Sequence, residues 1–270
     1  PLFCGGAEIG ANDLITPIRS SSIRGHLRFW WRATRGAAMC KTVEELRQRE
    51  GEIWGTTENP ANVCIEIQVK SCGKPVDCAS YVWNDRARQG LGDHKLKWNE
   101  QFDRSSLPYI LFPFQGKKPK IRRKGEAPEK FPSNMLNSVQ FTLYTYISNA
   151  QGMEKYYTIF NKQRRSKGIR PLIKEDLDIE LDIEAAIWAW INFGGIGART
   201  RRGCGALYCL DPLDLSPPSY QDFKKWLTGR IQLYGLSSYS NKGIILNKSM
   251  SESPALSPSR EWVTIGNIYI

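Results

Sequence analysis

"NFGGIGARTRRGCGALYCL", residues 192–210, carries five glycines and three arginines between two apolar runs. Glycine weakens helix and strand alike, so such a cluster must serve a bend, a close approach or a ligand. The spacing is Gly195-Ile196-Gly197, five residues, then Gly203-Cys204-Gly205, or G-h-G-x5-G-h-G. Glycines at both rims permit positive φ, and the centre holds Arg199, Arg201 and Arg202. Their planar guanidinium groups suit phosphate oxygens. Two common phosphate loops do not fit. No Lys follows Gly203, as a P-loop needs, and Thr200 stands where the dinucleotide fingerprint has its third glycine. The loop is expected to follow a helix, so its start lies at the negative end of a helix dipole. Attraction must then come from the arginines and from exposed backbone N–H groups. The plain alternative is a glycine-rich helix end with surface arginines.

The second basic feature is "SSSIRGHLRFWWRATRG", residues 20–36. Ser20, Ser21 and Ser22 suit a helix start, and the periodicity predicts a helix from about Ile23 to Thr34. Ile23, Leu27, Trp30, Trp31 and Thr34 share its core face. Arg24, Arg28, Arg32 and Arg35 make one stripe beside that face. Like charges on one stripe repel, so either carboxylates from elsewhere or a phosphate chain must compensate. The net charge of +11 favours phosphate. His26 falls nearly opposite the stripe, where a structural role suits it better than proton transfer.

Charge is unevenly spread. Arg19 and the four stripe arginines, the basic residues of 117–130, those of 162–170, and the three loop arginines hold 20 of the 38 Lys and Arg. Such acid-poor clusters are the footprint of a polyanion partner, against the plainer reading of a solvated basic surface. No apolar run reaches membrane-spanning length and nothing resembles a signal peptide. Seven cysteines without a C-x-x-C pair, and two histidines, indicate neither zinc nor a disulfide framework, and fit a reducing cytoplasm. No metal and no cofactor are expected. Pro1 in place of Met points to a missing N-terminus or to a chain cut from something longer.

Elsewhere, Thr42 and Glu45 form a capping box for a short helix ended by Gly51. "NVCIEIQVK" and "SVQFTLYTYI" alternate as strands, with Val139, Phe141, Leu143 and Ile147 on one face of the second and Tyr144 and Tyr146 on the other. "YILFPF" (109–114) and "GALYCL" (205–210) are also expected as strands, as is the terminal "WVTIGNIYI". Residues 71–108 read as turn-rich, 116–132 as a basic loop or arm, and 148–176 as a basic insertion. Ile183, Ala186, Ile187, Trp190 and Ile191 mark a helix with one apolar stripe. The acids at its entry, Asp178 to Glu184, suit the helix dipole better than a metal. One more helix is expected over about 219–228. The whole predicts an α+β fold, an antiparallel sheet with helices on one face.

The glycine loop resembles the C-terminal glycine-rich loop of the RAMP superfamily of CRISPR proteins. The N-terminal part, "PLFCGGA" and "IRSSSIRGHLRFWWRATRG", then "EIWG", resembles the first-named RAMP subunit family of the Cmr (type III-B) effector complex. Pro1, Phe3, Gly5, Gly6, Arg19, Ser22, Arg24, Gly25, Arg28, Phe29, Trp30, Trp31 and Arg32 carry that likeness. The resemblance implies a ferredoxin-like, RRM-related fold, as two halves with insertions, 1–134 and 135–270. It implies contact with the 3′ part of a guide RNA, with target RNA and with sister RAMP subunits. Target cutting in such complexes belongs to a different, repeated subunit, which uses an aspartate between its first strand and first helix. The matching segment here holds Glu8 and Asp13.

Three readings follow from this. The favoured one is a non-catalytic RNA-binding subunit. Arg19, Ser22, Arg24, Arg28, Arg32 and Arg35 would line one basic surface, and Gly195, Gly197, Arg199, Arg201, Arg202, Gly203 and Gly205 another. The two surfaces would share one groove on a ribose-phosphate strand. The alternative is an endoribonuclease with His26 as acid/base or Asp13 positioning a phosphate. The third is a segment of a fused multi-RAMP protein.

Overall fold

The computed structural model describes residues 2–5, 12–84, 93–100, 107–116, 118, 134–147, 158, 161–171, 178–219 and 221–236. The chain divides into two compact units that interleave along the sequence. One takes Pro1–Arg19, Ile67–Thr142 and Gly195–Leu207; the other takes Ser20–Glu66, Leu143–Gly194 and Tyr208–Ile270. Below they are the loop unit and the helical unit. Among the described residues no helix is long and apolar enough to cross a membrane.

The helical unit starts with α1, Ser20–Trp31, so Ser20 to Ser22 form its first turn rather than precede it. Ile23, Leu27 and Trp31, one turn apart, are fully buried. The expected continuation to Thr34 is instead a π-helical turn, Arg32–Gly36, in which Thr34 leaves helical geometry (φ −114°, ψ −106°). The Thr34 hydroxyl donates to the Trp30 carbonyl at 2.7 Å, the back-bonding that bends helices. After α2 (Ala37–Met39), α3 runs Val43–Trp54. The Thr42 hydroxyl accepts the Glu45 N–H at 3.1 Å as the capping box predicts, but the Glu45 carboxylate accepts from the Lys41 N–H. Gly51 does not end this helix. Ile53 and Trp54 are buried beyond it and carry the helix on to Gly55, whose φ of 83° makes the stop.

Helix α5 is Ile179–Phe193, capped by the Asp178 carboxylate on the Leu181 N–H. Its buried residues, Ala185, Trp188 and Ala189 among them, wrap more than the single stripe expected. They meet Leu227, Ile231 and Tyr234 of the closing segment in one core. The last described helix, α6, covers Phe223–Leu233, later than the expected span.

In the loop unit, β2 (Pro75–Asp77) pairs antiparallel with β5 (Asn134–Leu136), and β3 (Ala79–Asn84) with β4 (Asp93–Trp98). Leu2 adds a bridge to Leu136. The described residues of 71–108 are thus largely sheet, contrary to expectation. Lys95 and Lys97 on the exposed positions of β4 supply the polarity that reads as turn. "YILFPF" is also corrected: α4, Leu107–Leu111, leads into a 3-10 turn, Phe112–Phe114. Pro108 lies in the first turn of α4, where no N–H is needed. Leu111 and Phe114 enter a core with Cys78, Met135 and Cys204.

The remaining pair, β1 (Val63–Ser71) with β6 (Gln140–Ile147), keeps the predicted alternation, and the division between units falls within both strands. Among the described residues every sheet has two strands, and residues 206–210 form no ladder, against the expected strand. The class is α+β. The terminal strand at 262–270 and nearly all of the basic stretch 116–132 lie outside the described residues.

Candidate nucleic-acid interface

The glycine loop is a closed turn. The Ile196 N–H donates to the Gly205 carbonyl at 2.9 Å, and the Ala198 N–H donates to the Phe3 carbonyl at 2.9 Å. Two glycines make these bonds possible. A Cβ on Gly205 (φ +64°) would stand 1.9 Å from the Ile196 carbonyl oxygen, and one on Gly197 (φ +78°) 2.2 Å from the Phe3 oxygen. Gly195 is tight as well, with a Cβ 2.9 Å from the Gly205 oxygen. Gly203 differs: its φ of +84° favours glycine, but a Cβ there would meet nothing within 4 Å among the described residues. Ile196 and Cys204 are buried and anchor the two rims.

The tip is the 3-10 turn Thr200–Arg202. Arg199 adopts a left-handed conformation, φ 64°. Its Nε donates to the Ile110 carbonyl at 3.0 Å and its Nη2 to the Tyr109 carbonyl at 3.2 Å. It ties the loop to α4 and is spent on structure rather than presented to a ligand. Arg201 and Arg202 are exposed. The Arg202 guanidinium carbon lies 5.6 Å from the Tyr109 ring centroid, a cation–π contact. Neither Arg201 nor Arg202 meets a carboxylate among the described residues.

Also in the loop unit, Asp13 accepts from the N–H groups of Ile15 and Thr16, from the Thr16 hydroxyl at 2.6 Å and from Arg19 Nη2 at 2.6 Å. The Thr16 hydrogen bonds and the Arg19 cation hold its carboxyl well below the usual range. Asp13 organises its own turn and fixes Arg19, which occupies the oxygens a catalytic aspartate would use.

In the helical unit three of the four stripe arginines meet carboxylates, where the net charge favoured phosphate. Arg28 Nε and Arg32 Nη1 both reach Glu50 Oε1, at 2.6 and 2.5 Å. Glu50 is buried on α3, while the two arginine side chains keep 36% and 34% of their surface exposed. One acid between two cations leaves excess positive charge on this face. Arg24 is half-buried, its Nε enclosed and without a hydrogen-bond partner among the described residues, and Ser22 is exposed on the first turn. Arg35 is corrected outright. It is buried, donating through Nε to Asp182 Oδ1 at 2.7 Å and through Nη1 to the Tyr234 carbonyl. Arg49 Nη2 takes the other oxygen of Asp182 at 2.8 Å. Asp182, assigned from sequence to the helix dipole, is therefore the centre of a buried charge cluster. Arg164 of the basic insertion is buried too, on Glu45 at 3.0 Å.

His26 stacks on Trp190, ring centroids 6.1 Å apart, and burial lowers its pKa. That is the structural role its face predicted. Sequence reasoning missed Glu50, Asp182, Tyr109 and Phe112. The two acids gave no signal of their partners. The aromatics were hidden by reading their segment as a strand.

A Pyrococcus furiosus protein, CRISPR system Cmr subunit Cmr1-2, is 25% identical over 209 residues, which is 77% of this chain and 88% of that protein. The crystal structure of Cmr1 from Pyrococcus furiosus in its apo form is similar at 17% identity and a TM-score of 0.43, covering 81% of this chain and 53% of that one. A chain from the cryo-EM structure of the type III-B Cmr-beta bound to cognate target RNA and AMPPnP is similar at 16% identity and TM-score 0.47, covering 93% of this chain and 63% of that one. The chain thus spans about half to two thirds of the length of these solved chains. Residues 1–208 match the RAMP superfamily, glycine loop and arginine helix included, and the chain belongs to that superfamily.

Proposed function

We propose that this chain is a non-catalytic RNA-binding subunit of a cytoplasmic type III-B (Cmr) effector, contacting the 3′ part of the guide RNA and the target RNA beside sister RAMP subunits. The observation that carries the reading is the loop tip. Arg201 and Arg202 are exposed and free of carboxylates among the described residues, on a turn whose shape Gly197 and Gly205 impose. Arginines so placed meet phosphate and fix position, while sequence is read by guide–target pairing. The similarity to a Cmr subunit over most of both chains selects this complex among RNA-binding roles. Arg28 and Arg32 offer a second, weaker phosphate surface, because Glu50 already takes part of their charge. Two ferredoxin-like halves, 1–134 and 135–270, belong to the same proposal, as the fold that the resemblance implies.

The stacked His26 and the engaged Asp13 support a subunit that holds RNA without cutting it. Gel-shift titration of guide RNA against the wild-type chain and an Arg201→Ala/Arg202→Ala variant tests the reading. The variant should bind more weakly, and its salt dependence should flatten by about 0.7 in log–log slope per lost phosphate contact. Equal binding by both proteins would overturn the clamp. Incubation with labelled guide precursor and with guide–target duplex should leave the RNA intact. Cleavage abolished by His26→Ala or Asp13→Ala would replace this reading with a ribonuclease.

A further inference from the structure

We infer that Tyr109 and Phe112, beside Arg201 and Arg202, form a stacking platform for an unpaired base of single-stranded RNA. The inference rests on the RNA-binding reading and adds to it the residues that take bases rather than phosphates.

The platform follows from the helical rewriting of 109–114. On α4 and the 3-10 turn after it, residues three apart share a face. Leu111 and Phe114 point into the core, 1% and 2% exposed, and Phe114 packs on Phe3 with ring centroids 4.9 Å apart. Tyr109 and Phe112 take the other positions and are 67% and 60% exposed. Two large aromatic rings on one short, core-anchored element are costly to leave in water without a use.

Their surroundings select the ligand. Arg199 holds the backbone of Tyr109 and Ile110 through two carbonyls, so the element cannot drift from the loop. Arg202 already sits over the Tyr109 ring. A guanidinium against an aromatic face, with a further exposed arginine one residue away, matches the alternation of flat base and anionic phosphate along a single strand. An apolar protein surface would not supply the counter-charge. Every base has a π-face, so the platform should accept any unpaired base with little preference for its identity.

The test uses the full chain with Tyr109→Ala, Tyr109→Phe and Arg201→Ala/Arg202→Ala variants. The probes are a short uridine-rich RNA bearing one 2-aminopurine and the same RNA with abasic sites. Tyr109 is exposed, so the variants should melt with wild type. Wild type should bind the base-bearing RNA more tightly than the abasic one and quench the 2-aminopurine. Tyr109→Ala should lose about tenfold in affinity for the base-bearing RNA, lose the quenching and keep the wild-type salt slope. Tyr109→Phe should retain both. The double arginine variant should flatten the salt slope instead. If Tyr109→Ala matches wild type on both RNAs, the platform is wrong, while an effect of the arginine variant would still uphold RNA binding. If wild type binds neither RNA, the underlying reading has failed. A Tyr109→Ala chain with full RNA affinity that no longer joins sister RAMP subunits would assign this face to protein docking and overturn the inference.

Discussion

Arg35 Nε donates to Asp182 Oδ1 at 2.7 Å across 147 positions of sequence, and both side chains are buried. The π-helical turn that carries Arg35 and the first turn of α5 are therefore fastened by charge as well as by apolar packing. Removing the carboxylate would strand Arg35 and Arg49 together out of water. Asp182→Ala should cost about 3–5 kcal/mol in chemical denaturation, and Asp182→Asn, which keeps the shape but loses the charge, somewhat less.

The glycine loop gives a graded pair of substitutions. Gly205→Ala adds a methyl 1.9 Å from the Ile196 oxygen at positive φ and must break the bond that closes the loop. Gly203→Ala faces open space and meets only the left-handed backbone penalty, about 1–2 kcal/mol. Thermal melts should place Gly205→Ala well below Gly203→Ala. Equal melting temperatures would mean that the closure at Ile196 contributes nothing.

Glu52 sets a pH dependence. Among the described residues its Oε2 has no hydrogen-bond partner, Arg49 stays 3.8 Å away, and burial pushes the carboxyl up to about 9. An unfolded glutamate titrates near 4.3, so the folded state holds the proton more tightly. The stability this provides is complete below about pH 4 and is lost as pH rises through about 9. Glu52→Gln should flatten the stability profile between those limits. It should stabilise the protein at pH 8, where the unfolded carboxylate is ionised and folding must take up a proton that an amide does not need.

Glu50 separates fold from RNA binding on the arginine face. An Arg28→Ala/Arg32→Ala protein leaves a buried carboxylate alone and should lose roughly 3–5 kcal/mol of stability, whatever it does to RNA. Glu50→Gln is the cleaner probe, since it releases both guanidinium groups. It should tighten RNA binding at low salt and steepen the salt dependence. An unchanged salt slope would remove this face from the RNA path.

Local rules made much of this legible. The Thr42 cap, the Ile23/Leu27/Trp31 stripe and the alternation of β1 and β6 are each decided within a few residues of sequence. The loop was legible as well, because four spaced glycines admit few backbones. What failed depended on distant partners. Nothing near Asp182 signals that two arginines from elsewhere in the helical unit will claim it, so it read as a dipole residue. The stripe's compensation by Glu50 is the same kind of miss: net charge argued for phosphate, while one well-placed acid was enough to pair two of the four. The segment 109–114 failed because its apolar run read as a strand, whereas it is the end of a short helix with Pro108 in its first turn and the 3-10 turn after it.

The interleaving of the two units bears on biosynthesis. The loop unit lacks its glycine loop until residue 207 has left the ribosome, and the helical unit lacks α6 until residue 233 has. A nascent chain therefore carries Ile23, Leu27 and Trp31 without the α5 partner until residue 193 has emerged. The two units wait on segments that follow one another closely, up to 207 and 233, and the interval before closure is when this chain most needs a chaperone.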